Sequence, residues 1–137
     1  MRKSSVFAAG LALCLALMST ASRAADPAGE WLVEAGDTKV RVARCGPALC
    51  GEIVWLKEGQ SQRDDKNSDP SQQQRALIGL RIFEMQPKGE AWTGPIYNSD
   101  DGNTYEGTLT PQADARKLEV KACMGDQCGA ELWTRAQ

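Results

Sequence analysis

The sequence predicts an all-β chain folded as an antiparallel up-and-down barrel of eight strands. Three observations carry that prediction. Short segments of alternating apolar and polar residues recur through most of the chain, turn-forming residues separate them at short intervals, and eight such segments can be counted in sequence order. Alternation marks a strand with one buried and one wet face, because successive side chains point to opposite sides.

The segments can be taken in order. Gly29 to Glu34 ends at Ala35-Gly36-Asp37, a turn composition. Thr38 to Arg44 contains the clean alternation Lys39-Val40-Arg41-Val42, and Leu49 to Leu56 follows it. The polar stretch from Lys57 to Arg75 is too long for a hairpin turn. Within it Asp69 reads as an N-cap before a first-turn proline, so Pro70 to Arg75 is expected to make a short helical turn between the third and fourth strands. Gly79 to Met85 and Ala91 to Tyr97 flank Pro87-Lys88-Gly89, and Thr104 to Thr110 begins just after Asp100-Asp101-Gly102. Lys117 to Ala122, with Lys117-Leu118-Glu119-Val120 alternating, and Gly129 to Arg135 complete the set. Eight such strands in sequence order close most economically into a barrel, since closure removes the exposed edges of a flat meander.

The chain begins with an export signal. Arg2 and Lys3 form a positive start, Val6 to Met18 is an apolar run, and Ser22 and Ala24 place small residues before a cut at Ala25. The run is shorter than the roughly 20 residues of a membrane span, and Cys14 follows Leu13 where a lipoprotein signal needs a small residue. Residues 1–24 are thus expected to be a signal peptide and residues 25–137 a single barrel domain, periplasmic or secreted, with no membrane span after processing. Losing Arg2, Lys3 and Arg23 from 16 basic residues leaves 13 against 18 acidic ones, a net charge of −5. Nucleic acid is excluded as a partner by that balance, since phosphate binding needs a basic patch.

Cys45, Cys50, Cys123 and Cys128 read as disulfides, because an even count at repeated spacing in an oxidising compartment is a disulfide framework. Zinc is the competing reading, disfavoured by the four-residue gaps and the absence of histidine. Successive hairpins of the barrel lie at opposite ends, so the two pairs are too far apart to cross-link and each should bridge locally. A ring of about six residues contributes roughly 2 kcal/mol.

Three stretches resemble a bacterial domain-of-unknown-function family, number 2147, across essentially the whole mature chain. They run from Asp26-Pro27-Ala28-Gly29-Glu30-Trp31 to Leu49-Cys50-Gly51-Glu52-Ile53-Val54-Trp55-Leu56, from Asp65-Lys66-Asn67-Ser68-Asp69-Pro70 to Leu77-Ile78-Gly79-Leu80, and from Ile96-Tyr97-Asn98-Ser99-Asp100-Asp101-Gly102-Asn103-Thr104-Tyr105 to Trp133-Thr134-Arg135. Proline is usual in that family where Ser68 and Ser99 stand, and lysine where Asn103 stands, which implies loops of different rigidity or charge here. The resemblance implies export from a Gram-negative bacterium and no particular substrate. Gly29-x-Trp31 with Arg135 is also similar to the pairing in lipocalin-type (calycin-like) barrels, where a last-strand arginine covers a first-strand tryptophan, so Trp31 and Arg135 are expected to be structural.

Candidate chemistry is sparse. Without histidine no Ser-His or Cys-His pair can form, so an enzyme is not expected. Asp64-Asp65, Asp100-Asp101 and the glutamates fall where loops or outward strand faces would leave them solvated, and Asp100 to Asn103 lacks the later glutamate of a calcium loop. No metal or cofactor is expected. Trp55, Trp92 and Tyr105 fall at apolar alternating positions expected to face the interior, with Tyr97 near the rim. A barrel of this size is either filled by its side chains or holds one small ligand. Two functions follow: a carrier or sensor for a small apolar ligand contacting Trp55, Trp92, Tyr97 and Tyr105, with Lys57 to Arg75 as a lid, or an envelope protein-protein interaction module with a filled barrel as scaffold.

Overall fold

The computed structural model describes residues 25–136, and the expected signal peptide lies outside them. Strands form where the alternation places them: β1 (Gly29–Leu32), β2 (Thr38–Cys45), β3 (Ala48–Leu56), β4 (Arg81–Lys88), β5 (Ala91–Asn98), β6 (Asn103–Pro111), β7 (Lys117–Met124) and β8 (Gln127–Arg135). Each pairs antiparallel with the next. The barrel closes where Trp31 and Leu32 of β1 stand opposite Arg135 and Thr134 of β8. The helical turn between β3 and β4 is a single 3-10 turn, Pro70–Gln72, with the Asp69 side chain accepting the Ser71 N–H at 2.9 Å. Among the described residues, no helix is long and apolar enough to cross a membrane.

Up-and-down order gives the barrel two distinct ends. One carries the β2–β3, β4–β5 and β6–β7 turns with the start of β1 and the end of β8; the other carries the remaining four connections, including the long loop after β3. Cys45 bridges Cys50 at the first end and Cys123 bridges Cys128 at the second, with Cα separations of 5.9 and 4.0 Å. Both disulfides are therefore local, as the hairpin order requires.

The first end is plugged. Trp31 is buried, and its indole N–H donates to the Pro27 carbonyl at 2.8 Å. The Arg135 guanidinium lies 4.3 Å over the ring and donates to the carbonyls of Ala28 at 2.8 Å and Asp26 at 3.1 Å. Gly29 is required here. Its φ of +138° disfavours a side chain, and a Cβ would collide with Nη1 of Arg135. A second stack lies at the same end, with the Arg44 guanidinium 4.6 Å over the buried ring of Trp92. Between the stacks and the middle of the barrel, Leu49, Met85, Leu109 and Leu118 are fully buried, so this half is packed solid.

The structure corrects the placement of Trp55. It lies on the outer face, 38% exposed, with the Lys39 ammonium 5.0 Å over its ring. The cause is a bulge. Val40 stands opposite Ile53 but Lys39 stands opposite Trp55, so one extra residue enters β3 and the inside-outside parity reverses after Ile53.

Candidate functional site

The second end is hollow. Inward positions on β7 and β8 shrink toward this end, from Leu118 and Trp133 to Ala122 and Gly129, which stand opposite one another. A Cβ built on Gly129 would meet nothing within 4 Å. The missing volume opens a cavity of about 390 Å³. Its floor and walls are Val40, Ile53, Ile82, Ile96, Val120 and Trp133, and its rim includes Glu34, Ser99, Asp100 and Tyr105. The interior thus combines the two arrangements expected of a small barrel, filled at one end and open at the other.

The expected ligand contacts divide between those ends. Tyr97 and Tyr105 line the cavity. Tyr105 is fixed by donating its hydroxyl to Asp101, a bond that raises its pKa. Trp55 is outside the barrel and Trp92 does not line the cavity, being part of the packing at the far end. Trp133 takes the place expected of them.

Tyr97 joins the cavity wall to the long loop. Its hydroxyl donates at 2.6 Å to Oδ1 of Asp64, whose Oδ2 accepts from Nε of Arg75 at 2.7 Å and from Nδ2 of Asn67 at 2.9 Å. Asp64 is completely buried, correcting its expected place on the solvated surface. A carboxylate there is tolerable because three donors converge on it. Burial pushes its carboxyl up, but the bonds from Tyr97, Asn67 and Arg75 with the Arg75 charge pull it further down, leaving it below the ordinary value. The same burial and the adjacent carboxylate push the Tyr97 hydroxyl up. The loop is further pinned by Arg63 pairing with Ala76 and by buried Leu77. At Gly102 in the β5–β6 turn, with φ of +75°, a Cβ would strike the Lys66 carbonyl, so loop and turn are in direct contact. The β5–β6 turn contributes Asn98, Ser99 and Asp100 to the cavity, whereas no residue of Lys57 to Arg75 lines it, so the long loop packs beside the opening rather than over it as the expected lid.

Acidic groups face the cavity. Glu131 lies on the same face of β8 as Trp133, whose indole N–H donates to its Oε1, and it lines the cavity rather than the solvated surface expected for the glutamates. Glu34 stands at the rim, where its Oε1 accepts the Leu132 N–H at 3.2 Å. Asp100 is partly enclosed, and burial followed by the negative charges of Asp37 and Asp101 pushes its carboxyl up. The alternation Gly129, Glu131, Trp133, Arg135 contains the signal for Glu131; Asp64 has no such local signal.

An eight-stranded up-and-down barrel, plugged by a tryptophan-arginine stack at one end and hollow at the other, places this molecule in the lipocalin-like class. It is similar to a solved structure of a protein from the human pathogen Helicobacter pylori described as belonging to the lipocalin family, with a TM-score of 0.70 at 16% identity, covering 82% of this chain and 84% of that one. Residues 29–135 match the family model described as uncharacterized protein conserved in bacteria, DUF2147, and the chain belongs to that family. No curated protein matches it in sequence.

Proposed function

We propose that the protein is an exported, non-enzymatic carrier or sensor that holds one small, largely apolar molecule in the open end of its barrel. The observation that supports this is the cavity of about 390 Å³ with aliphatic and indole walls, within the range of roughly 300–1,000 Å³ typical of small-molecule sites. Export is supported by the two local disulfides, which suit an oxidising compartment, and by the signal-like residues 1–24. A non-catalytic role is supported by the lack of histidine and by the pairing of Cys45 with Cys50 and of Cys123 with Cys128.

Trp133 makes the proposal testable, because its indole lines the cavity and ligand entry would change its surroundings. Tryptophan fluorescence is titrated with fatty acids, isoprenoids and aromatic metabolites, alongside native mass spectrometry of protein purified from the periplasm. A saturable response that Trp133→Phe abolishes, or a retained small-molecule adduct, is expected. Absence of both would remove the carrier reading. The interaction-module alternative would then stand, with the exposed Trp55, Ile78, Met124 and Leu132 as its contact candidates.

A further inference from the structure

We propose that the cavity selects a cationic amphiphile, a molecule with a short apolar tail for the barrel interior and an amine or amidine head for the mouth. This rests on the binding function proposed above and names the ligand class. Two features of the site carry it together. The deep walls, Val40, Ile53, Ile96, Val120 and Trp133, offer only apolar surface apart from the indole N–H, and that N–H is already donated to Glu131. Above them Glu131, Glu34 and Asp100 present carboxyl groups, while among the described residues no lysine or arginine lines the cavity.

Glu131 is the decisive residue. It projects from β8 on the face that holds Trp133 and Arg135, so its carboxylate belongs to the barrel interior. The indole occupies Oε1, and among the described residues no side chain donates to Oε2. A ligand ammonium at this level would donate to that solvent-accessible oxygen, with its tail directed toward Ile53 and Val120. At the rim, Asp100 has Asp37 and Asp101 as charged neighbours and no compensating cation among the groups that shift it. Arg63 and Lys66 line not the cavity itself but an adjoining, smaller hollow of about 110 Å³, which shares Thr38, Ser99 and Asp100 with it and also contains the acidic Asp65. A fatty-acid carboxylate would enter this mouth against like charge, whereas an amine would be drawn in, and partial enclosure weakens solvent screening of both effects. A bare metal ion is a poorer fit, because among the described residues no three carboxylate or other ligating side chains come together.

The test uses three probes of equal tail length, octylamine, octanol and octanoate, titrated at neutral pH into the mature protein and followed by Trp133 fluorescence and calorimetry. These are small enough for a cavity equivalent to about a dozen water volumes. Octylamine is expected to bind about tenfold or more tightly than octanol, with octanoate weakest, and added salt is expected to narrow the spread. Glu131→Gln keeps an acceptor for the Trp133 indole and is expected to bring the amine-to-alcohol affinity ratio close to one. If that variant misfolds by circular dichroism, Asp100→Asn serves in its place, with a smaller fall in the ratio. Equal binding of amine and alcohol, or tighter binding of octanoate, would overturn the charge selection while leaving the carrier function in place. Failure of all three probes would overturn both.

Discussion

Replacing Asp64 by asparagine should destabilise the domain by about 1.5–3 kcal/mol at pH 7. The wild-type carboxylate accepts three hydrogen bonds, from Tyr97, Arg75 and Asn67, while wholly buried. Hydrogen bonds to a charged acceptor contribute roughly 1.5–3 kcal/mol each, and an unsatisfied buried donor costs about 1–3 kcal/mol. Asparagine keeps one acceptor oxygen and turns an amide toward the other donors. Two circumstances limit the loss. The Tyr97 hydroxyl can rotate to accept from that amide, and Arg75, whose side chain is 36% exposed, recovers hydration, so its ion pair counts at the low surface value. For a domain of this size the expected fall in Tm is about 6–12 °C.

The same substitution predicts a pH signature. The carboxyl of Asp64 has a lower pKa in the folded state than its ordinary value of 3.8. Its contribution is therefore complete above that value and is lost as the pH falls through the folded-state pKa. Urea unfolding of both proteins from pH 7 downward should show a gap that is constant to about pH 4 and narrows in acid. A gap below about 0.5 kcal/mol at pH 7, or one that does not narrow in acid, would refute the assignment of Asp64 as the anchor of the long loop.

Trp31→Ala should cost roughly 3–5 kcal/mol in chemical denaturation, since it empties the plugged end. Gly29→Ala should also destabilise, because the new methyl displaces the Arg135 guanidinium from the ring. Non-reducing peptide mapping should recover Cys45–Cys50 and Cys123–Cys128 only, and reduction should lower stability by a few kcal/mol without abolishing the fold. Trp55→Ala should change stability by less than about 1 kcal/mol, given its exposed outer position. Trp92→Ala should weaken the fold more than it alters occupancy of the cavity, measured by denaturation and by titration of the same variant.

Strand number, order and the local disulfides were legible in the sequence because they depend on short-range signals. Alternation fixes which segments become strands, turn residues fix where they reverse, and short connections make neighbours in sequence neighbours in the sheet. Gly29, Trp31 and Arg135 were legible through the resemblance to lipocalin-type barrels, a pairing that is physically possible because the first and last strands of a closed barrel meet. Glu131 was half legible: its parity with Trp133 points inward, but its charge argues for solvent, and only a hollow beside it reconciles the two. Trp55 was misplaced by the same counting, because a single-residue bulge leaves the composition of a strand unchanged while reversing everything beyond it. Asp64 had no sequence signal at all. Its burial depends on Tyr97, 33 residues away, and on a loop folded back so that Arg75 and Asn67 face the same carboxylate. The cavity is tertiary in the same sense, since whether a level of the barrel is filled depends on the summed volume of side chains from all its strands. Periodicity along one strand reports which way a side chain points, and only closure of the barrel decides how much space is left between them.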